Sequence, residues 1–163
     1  MDVNRVEPEW SGDGLRIGLV VARFNEEVTS MLEAGCLQTL EQQGVLPQDI
    51  TVFSVPGALE IPLVLAQAAD TGRFDALIAL GAVIRGETYH FEVVSNEACA
   101  GVSRVSLDHR IPVANGILTT EDDDQAFARA EEKGRDCAMA AIEMANLLFI
   151  IEDQLAEDGA RDD

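Results

Sequence analysis

Apolar and polar positions along this chain follow two periods in turn, and the alternation predicts strands and helices in succession. Arg16-Ile17-Gly18-Leu19-Val20-Val21-Ala22 is a continuous apolar run, the pattern of a strand buried on both faces. Val28, Met31, Leu32, Gly35, Cys36, Thr39 and Leu40 then recur at helical spacing, which buries one helix face. Asn25 is a residue type that caps such a helix, Glu26 and Glu27 suit the positive end of its dipole, and Gly44 ends it. Thr51 to Val55 reads as a second strand broken by Pro56-Gly57, followed by a helix from about Leu59 to Ala69 with Pro62 in its first turn. Asp75 to Leu80 predicts a third strand. After Gly81 and Gly86 a helix runs through Phe91, Val94, Ala98, Gly101, Val102 and Val105. Pro112 starts a shorter fourth strand through Ile117-Leu118, and Asp122 to about Leu155 is helical, with Gly134 as a break or kink.

Four strands alternating with helices through short loops predict a three-layer α/β/α sandwich, flavodoxin-like, around a four-stranded parallel sheet. Residues 1–14 are polar and carry Pro8, Gly12 and Gly14, which predicts an extended N-terminal arm. Its one large apolar group, Trp10, is expected to pack against something, such as a neighbouring subunit. The domain is expected to span 15–156, with 157–163 as an acidic tail.

Charge narrows the partners. The chain of 163 residues carries a net charge of −19, which argues against nucleic acid, because that needs a basic face to displace counterions. Glu152-Asp153, Glu157-Asp158 and Asp162-Asp163 concentrate acid near the C-terminus as a solvated segment. Ten of the cations are arginines and Lys133 is the single lysine, so each cation at a loop or helix start is a candidate for a specific task. No apolar run approaches twenty residues and no basic-then-apolar leader is visible, so no membrane partner is expected and the default location is the cytoplasm. Cys36, Cys99 and Cys137 lack CxxC spacing and read as reduced, small buried hydrophobes. His90 and His109 have no ligand-like partners at helical or hairpin spacing, so no metal is expected.

In open parallel sheets, ligands bind beyond the carboxyl ends of the strands. That rule selects Phe24-Asn25, Gly57-Ala58-Leu59-Glu60, the stretch from Gly81 to His90, and Asn115 onward. Phe24 is either a hydrophobic staple onto the next helix or a flat face for stacking a heterocycle. Glu60 is either a helix cap or an acceptor for sugar hydroxyls. Arg85-Gly86-Glu87-Thr88 leads into a helix whose free N–H groups form a potential anion site. In the first helical turn His90 meets a dipole that favours the neutral, base-competent ring. No Walker lysine, GxGxxG or nucleophile elbow is present.

Taken together, Phe24-Asn25, Val55-Pro56-Gly57-Ala58-Leu59-Glu60-Ile61-Pro62, the block from Leu80 to Phe91 and Gly116-Ile117-Leu118-Thr119-Thr120 resemble the lumazine synthase family, in the right order from Arg16 to Leu148. The resemblance implies condensation of 5-amino-6-(ribitylamino)pyrimidine-2,4-dione with 3,4-dihydroxy-2-butanone 4-phosphate. The product is 6,7-dimethyl-8-ribityllumazine, formed with release of phosphate and water at the penultimate step of riboflavin biosynthesis. It implies that Phe24 stacks on the pyrimidine with Asn25 on the ribityl side, and that Ala58, Leu59 and Glu60 line the ribityl chain. Ala82, Val83 and Ile84 border the heterocycle. Gly86, Glu87 and Thr88 hold the phosphate, and His90 transfers protons. Asn115, Arg129 and Lys133 are implied to come from an adjacent subunit, with Arg129 on the phosphate.

The same resemblance implies a homopentamer, alone, stacked to decamers or closed into sixty-subunit shells, two small-molecule substrates and no cofactor. The chain departs from the common family pattern at two places. An aromatic residue is frequent where Asn115 stands, which replaces stacking with a polar contact. Arg129-Ala130-Glu131-Glu132-Lys133-Gly134 is about one helical turn shorter than usual. Two other readings share the fold: an FMN- or ribityl-binding flavodoxin-like module, and a non-catalytic shell protein. The first should carry a Ser/Thr/Gly-rich loop after the first strand, where Phe24-Asn25-Glu26-Glu27 is acidic instead. The second has no need of His90, Arg129 and Glu60 together.

Overall fold

Every residue of β1 (Ile17–Ala22) is buried, and its side chains divide alternately between two apolar layers. Ile17, Leu19 and Val21 join the layer beneath helices α1 (Glu26–Gln42) and α4 (Asp123–Phe149). Val20 and Ala22 join the layer beneath α2 (Ile61–Asp70) and α3 (His90–His109). Strands β2 (Ile50–Val55), β3 (Ala76–Ile84) and β4 (Val113–Thr120) complete an all-parallel sheet in the order β2-β1-β3-β4. This computed structural model describes residues 1–86 and 89–161. The architecture is the expected flavodoxin-like α/β/α sandwich.

The chain steps from β1 outward to β2, then returns past β1 to β3. The switch point therefore lies between the carboxyl ends of β1 and β3, where connections leave in opposite directions and open a crevice.

Two glycines set how closely α1 and α4 approach. A Cβ on Gly35 would sit 2.5 Å from the Glu131 carbonyl oxygen, and one on Gly134 would collide with the Leu32 carbonyl. Gly134 is thus no break: α4 runs unbroken from Asp123 to Phe149, and the glycine is there to admit the neighbouring backbone. Asp122 caps this helix, its Oδ1 accepting from the Gln125 amide at 2.8 Å, and the Gln125 Oε1 accepts in turn from the Glu121 amide.

Other boundaries also move. The third strand continues through Gly81 to Ile84, and the fourth is longer than expected, reaching Thr120, because each is paired along its length with the other. Beyond α4 the chain continues as a π-helical stretch (Ile150–Leu155) and α5 (Ala156–Arg161), so part of the acidic segment is helical, while Asp162-Asp163 lies outside the described residues. The N-terminal arm has no regular structure through Trp10 and lies along α4, where the Asn146 amide donates to the carbonyls of Glu9 and Ser11. Trp10 remains 43% exposed. Among the described residues no helix is long and apolar enough to cross a membrane.

All three cysteines are free, Cys36 and Cys137 buried and Cys99 partly so. Burial raises the Cys36 thiol well above its ordinary range and pushes Cys137 up to about 11, with Lys133 opposing the rise. Both therefore stay protonated at pH 8. Iodoacetamide at that pH should leave Cys36 and Cys137 unmodified in the native protein and alkylate both in urea, read by peptide mass spectrometry.

Gly134→Ala gains about 1 kcal/mol of helix propensity but forces a methyl against a carbonyl that cannot retreat, a clash worth about 1–3 kcal/mol. We expect a net loss of up to about 2 kcal/mol, seen as a lower urea midpoint.

Candidate active site

At the switch point the backbone of β1 carries its ladder one step past the strand: the amide of Phe24 donates to the Pro56 carbonyl at 3.0 Å. This lays the Phe24 ring on Gly57. A Cβ on Gly57 would stand 2.6 Å from the ring and 3.3 Å from the Glu60 Oε2, so a side chain here would displace both. The ring is 68% exposed and rests on the β2–α2 turn, which leaves an aromatic face open beside a carboxylate.

Asn25 has left-handed geometry, φ 61° and ψ 48°, and its side chain makes no capping bond to α1. Instead Nδ2 donates to the Ala82 carbonyl at 2.8 Å, bridging the crevice from β1 to β3. The reason is conformational: a residue in the left-handed region aims its side chain away from the helix amides that a cap must reach. Asn25 ties the crevice walls together.

Pairing of β3 with β1 ends at Val21–Leu80, whereas β3 continues to Ile84. Ala82, Val83 and Ile84 thus border the crevice, and the Ala82 carbonyl is already engaged by Asn25. Ala58, Leu59 and Glu60 form a 3-10 turn leading into α2, with Ala58 buried and Leu59 and Glu60 exposed. Glu60 makes no side-chain cap of α2, so its carboxylate faces solvent. Gly86 has open space where a side chain would be; Glu87 and Thr88 lie outside the described residues. His90 opens α3 and is exposed, and α3 packs against the Ala58–Glu60 turn.

A second group stands elsewhere. Arg129 and Lys133 are one turn apart on α4 and line a cleft of about 440 Å³ with Ile117, Leu118, Thr119 and Thr120 of β4. Among the described residues the Arg129 guanidinium donates to the Gln125 carbonyl of its own helix alone, and Glu132 and Asp136 rim the same cleft. Asn115 is exposed on β4, level with Ala79 in mid-strand, and its Oδ1 accepts from the Ile117 amide. Within one chain these three are not brought to His90 and Glu60. Those two belong to elements on the α2/α3 face, whereas Arg129 and Lys133 lie on the α1/α4 side next to the open edge of β4.

A family model described as 6,7-dimethyl-8-ribityllumazine synthase matches residues 14–148. Proteins of that name from Burkholderia multivorans and Burkholderia vietnamiensis are each 58% identical over 158 residues, spanning 97% of this chain and 91% and 93% of theirs. One from an Azoarcus species is 58% identical over 151 residues, 93% of this chain and 97% of its own. The chain belongs to the 6,7-dimethyl-8-ribityllumazine synthase family.

Membership makes the chain a transferase of riboflavin biosynthesis. In this lumazine synthase family member, the stretch expected to be shorter than the common pattern is the part of α4 that ends at Gly134. The helix is continuous there, and Lys133 keeps the face of Arg129. Pattern reading named Arg85 at the start of the anion-site stretch but gave it no task of its own. Arg85 pairs with Glu92 at 2.9 Å and Glu121 at 3.2 Å, contacts that span separate elements and leave no periodic trace in the sequence.

The Asn25 bond yields a stability test. Asn25→Gly keeps the backbone conformation and loses one hydrogen bond, for about 1 kcal/mol. Asn25→Ala adds left-handed strain of about 1–2 kcal/mol. Denaturant midpoints should fall in the order wild type, Gly, Ala; an alanine variant as stable as wild type would show the bond to be idle.

Proposed function

We propose that this lumazine synthase family member condenses 5-amino-6-(ribitylamino)pyrimidine-2,4-dione with 3,4-dihydroxy-2-butanone 4-phosphate to 6,7-dimethyl-8-ribityllumazine, releasing phosphate and two molecules of water. The observation that carries this reading is the exposed Phe24 ring lying on Gly57 beside the Glu60 carboxylate at the switch point, with α3, the helix that His90 opens, packed against the same turn.

Phe24 offers its free face to the pyrimidine, with Asn25 beside it, and Glu60 accepts from the ribityl hydroxyls beside Ala58 and Leu59. Ala82, Val83 and Ile84 close the other wall with backbone groups. The amine attacks the ketone and loses water to form an imine; phosphate then leaves by elimination, and ring closure expels the second water. Each step moves a proton, the work assigned to His90. Gly86, Glu87, Thr88 and Arg129 take the phosphate, since a helix N-terminus and a guanidinium both stabilise a leaving anion. Holding two reactants in register supplies much of the remaining acceleration, up to about 7–11 kcal/mol. Neither a metal nor an organic cofactor enters this scheme.

The separation of the two residue groups supports a shared site. Asn115, Arg129 and Lys133 reach the crevice of an adjacent copy across the open edge of β4, so the active form is a homo-oligomer, a pentamer or a larger assembly of pentamers. A biosynthetic enzyme with these substrates fits the cytoplasm.

Optical detection of lumazine formation from the two pure substrates tests the reaction, and no turnover by assembled wild-type protein would sink it. His90→Ala should slow turnover about 10²- to 10⁴-fold without preventing assembly. Arg129→Ala should raise the KM for the sugar phosphate about tenfold to a hundredfold. Co-refolding the two variants should restore about a quarter of wild-type activity if each site spans two copies; no recovery would place the whole site in one chain.

A further inference from the structure

We infer that Arg85 is a positioning residue for the condensation, holding the first turn of α3, and with it His90, against the β4–α4 connection. The inference rests on the proton-transfer role proposed for His90. Arg85 follows β3 directly, and its amide donates to the Thr120 carbonyl at 2.8 Å. Its guanidinium reaches two ways. Nη2 meets the Glu92 Oε1 at 2.9 Å, Nε meets the Glu121 Oε2 at 3.2 Å, and Cζ lies 4.9 Å from the centre of the Phe91 ring. Phe91 and Glu92 are the two residues after His90, so one planar group grips the turn that carries the histidine.

The two ends of this clamp differ in firmness. The β4–α4 connection is anchored: Asp122 caps α4, Gln125 accepts from the Glu121 amide, and the Thr120 hydroxyl donates to the Asp122 carbonyl. At the start of α3 no such cap is seen among the described residues, where Tyr89 makes no capping side-chain bond. Arg85 therefore ties the helix start to a fixed post. Exposed ion pairs contribute little stability singly, so the effect of this network is orientation. A lysine cannot reproduce it, since a point charge neither forks between two carboxylates nor stacks on a ring. With both carboxylates on its guanidinium, Arg85 is not the phosphate ligand, although it stands beside Gly86.

The test compares Arg85→Ala, Arg85→Lys, Glu121→Gln and the double variant Arg85→Ala/Glu121→Gln in the full assembled protein, by amide hydrogen exchange and steady-state kinetics. Arg85→Ala should speed exchange in the Glu92 and Val93 amides about tenfold while the rest of α3 is unchanged. It should lower kcat about tenfold to a hundredfold with little change in either KM. Arg85→Lys should recover part of the loss, Glu121→Gln should move the same readouts in the same direction, and the double variant should be no worse than Arg85→Ala alone. Unchanged exchange overturns the proposal, as does a rise confined to the KM for the sugar phosphate, which would make Arg85 a direct ligand. A wild-type protein without turnover would instead defeat the reaction assigned to the site, while the exchange comparison still decides whether Arg85 holds the turn.

Discussion

Burial of β1 and β3 on both faces is the condition on which the other features hang. Residues of these strands lie against helices above and below, and their backbone groups are consumed in a parallel ladder. A polar side chain in such a layer would be stranded without a partner. Chemistry is pushed to the strand ends, where β1 stops before β3 does and leaves a ledge of backbone. The features of the crevice come from how the chain turns there: the ring on Gly57, the amide bridge of Asn25 and the helix that begins at His90.

Electrostatics adds a second layer to this plan. In a strongly acidic protein most cations would be expected to find carboxylates, and several do: Arg16 with Asp75, Arg104 with Asp108, Arg135 with Glu131. Arg85 is taken up by two. Arg129 bonds a carbonyl of its own helix instead, which leaves its charge available to an incoming anion. Which arginines are taken up by carboxylates follows from the side chains that lie opposite each of them.

Much of this was legible in the residues. The apolar runs marked the strands, the 3/4 spacings marked the helices, and the ligand-edge rule selected Phe24, Glu60 and His90. The sequence misled where a distant partner decided the local outcome. Asn25 is a capping type, yet its left-handed backbone turns the amide toward Ala82. Gly134 is a poor helix former on propensity alone, yet it sits inside a helix because α1 passes too close for any side chain. Gly81 looked like the end of a strand, but pairing with β4 carries the strand through it. Arg85 has partners seven and thirty-six positions away, beyond the reach of any local pattern.

The unbroken α4 works as a measuring rod. Its zero mark is Gly134, pressed on the α1 backbone, and Lys133 and Arg129 are read off at one and five residues before it. Each residue along a helix advances about 1.5 Å and turns the face by about 100°. Adding or removing one or two residues ahead of Gly134 would swing both cations away from the β4 cleft. A change of about a full turn would return them almost to the same bearing. Length variation in this helix should therefore be inherited in whole turns, and a stretch one turn shorter can still present its cations to the same cleft.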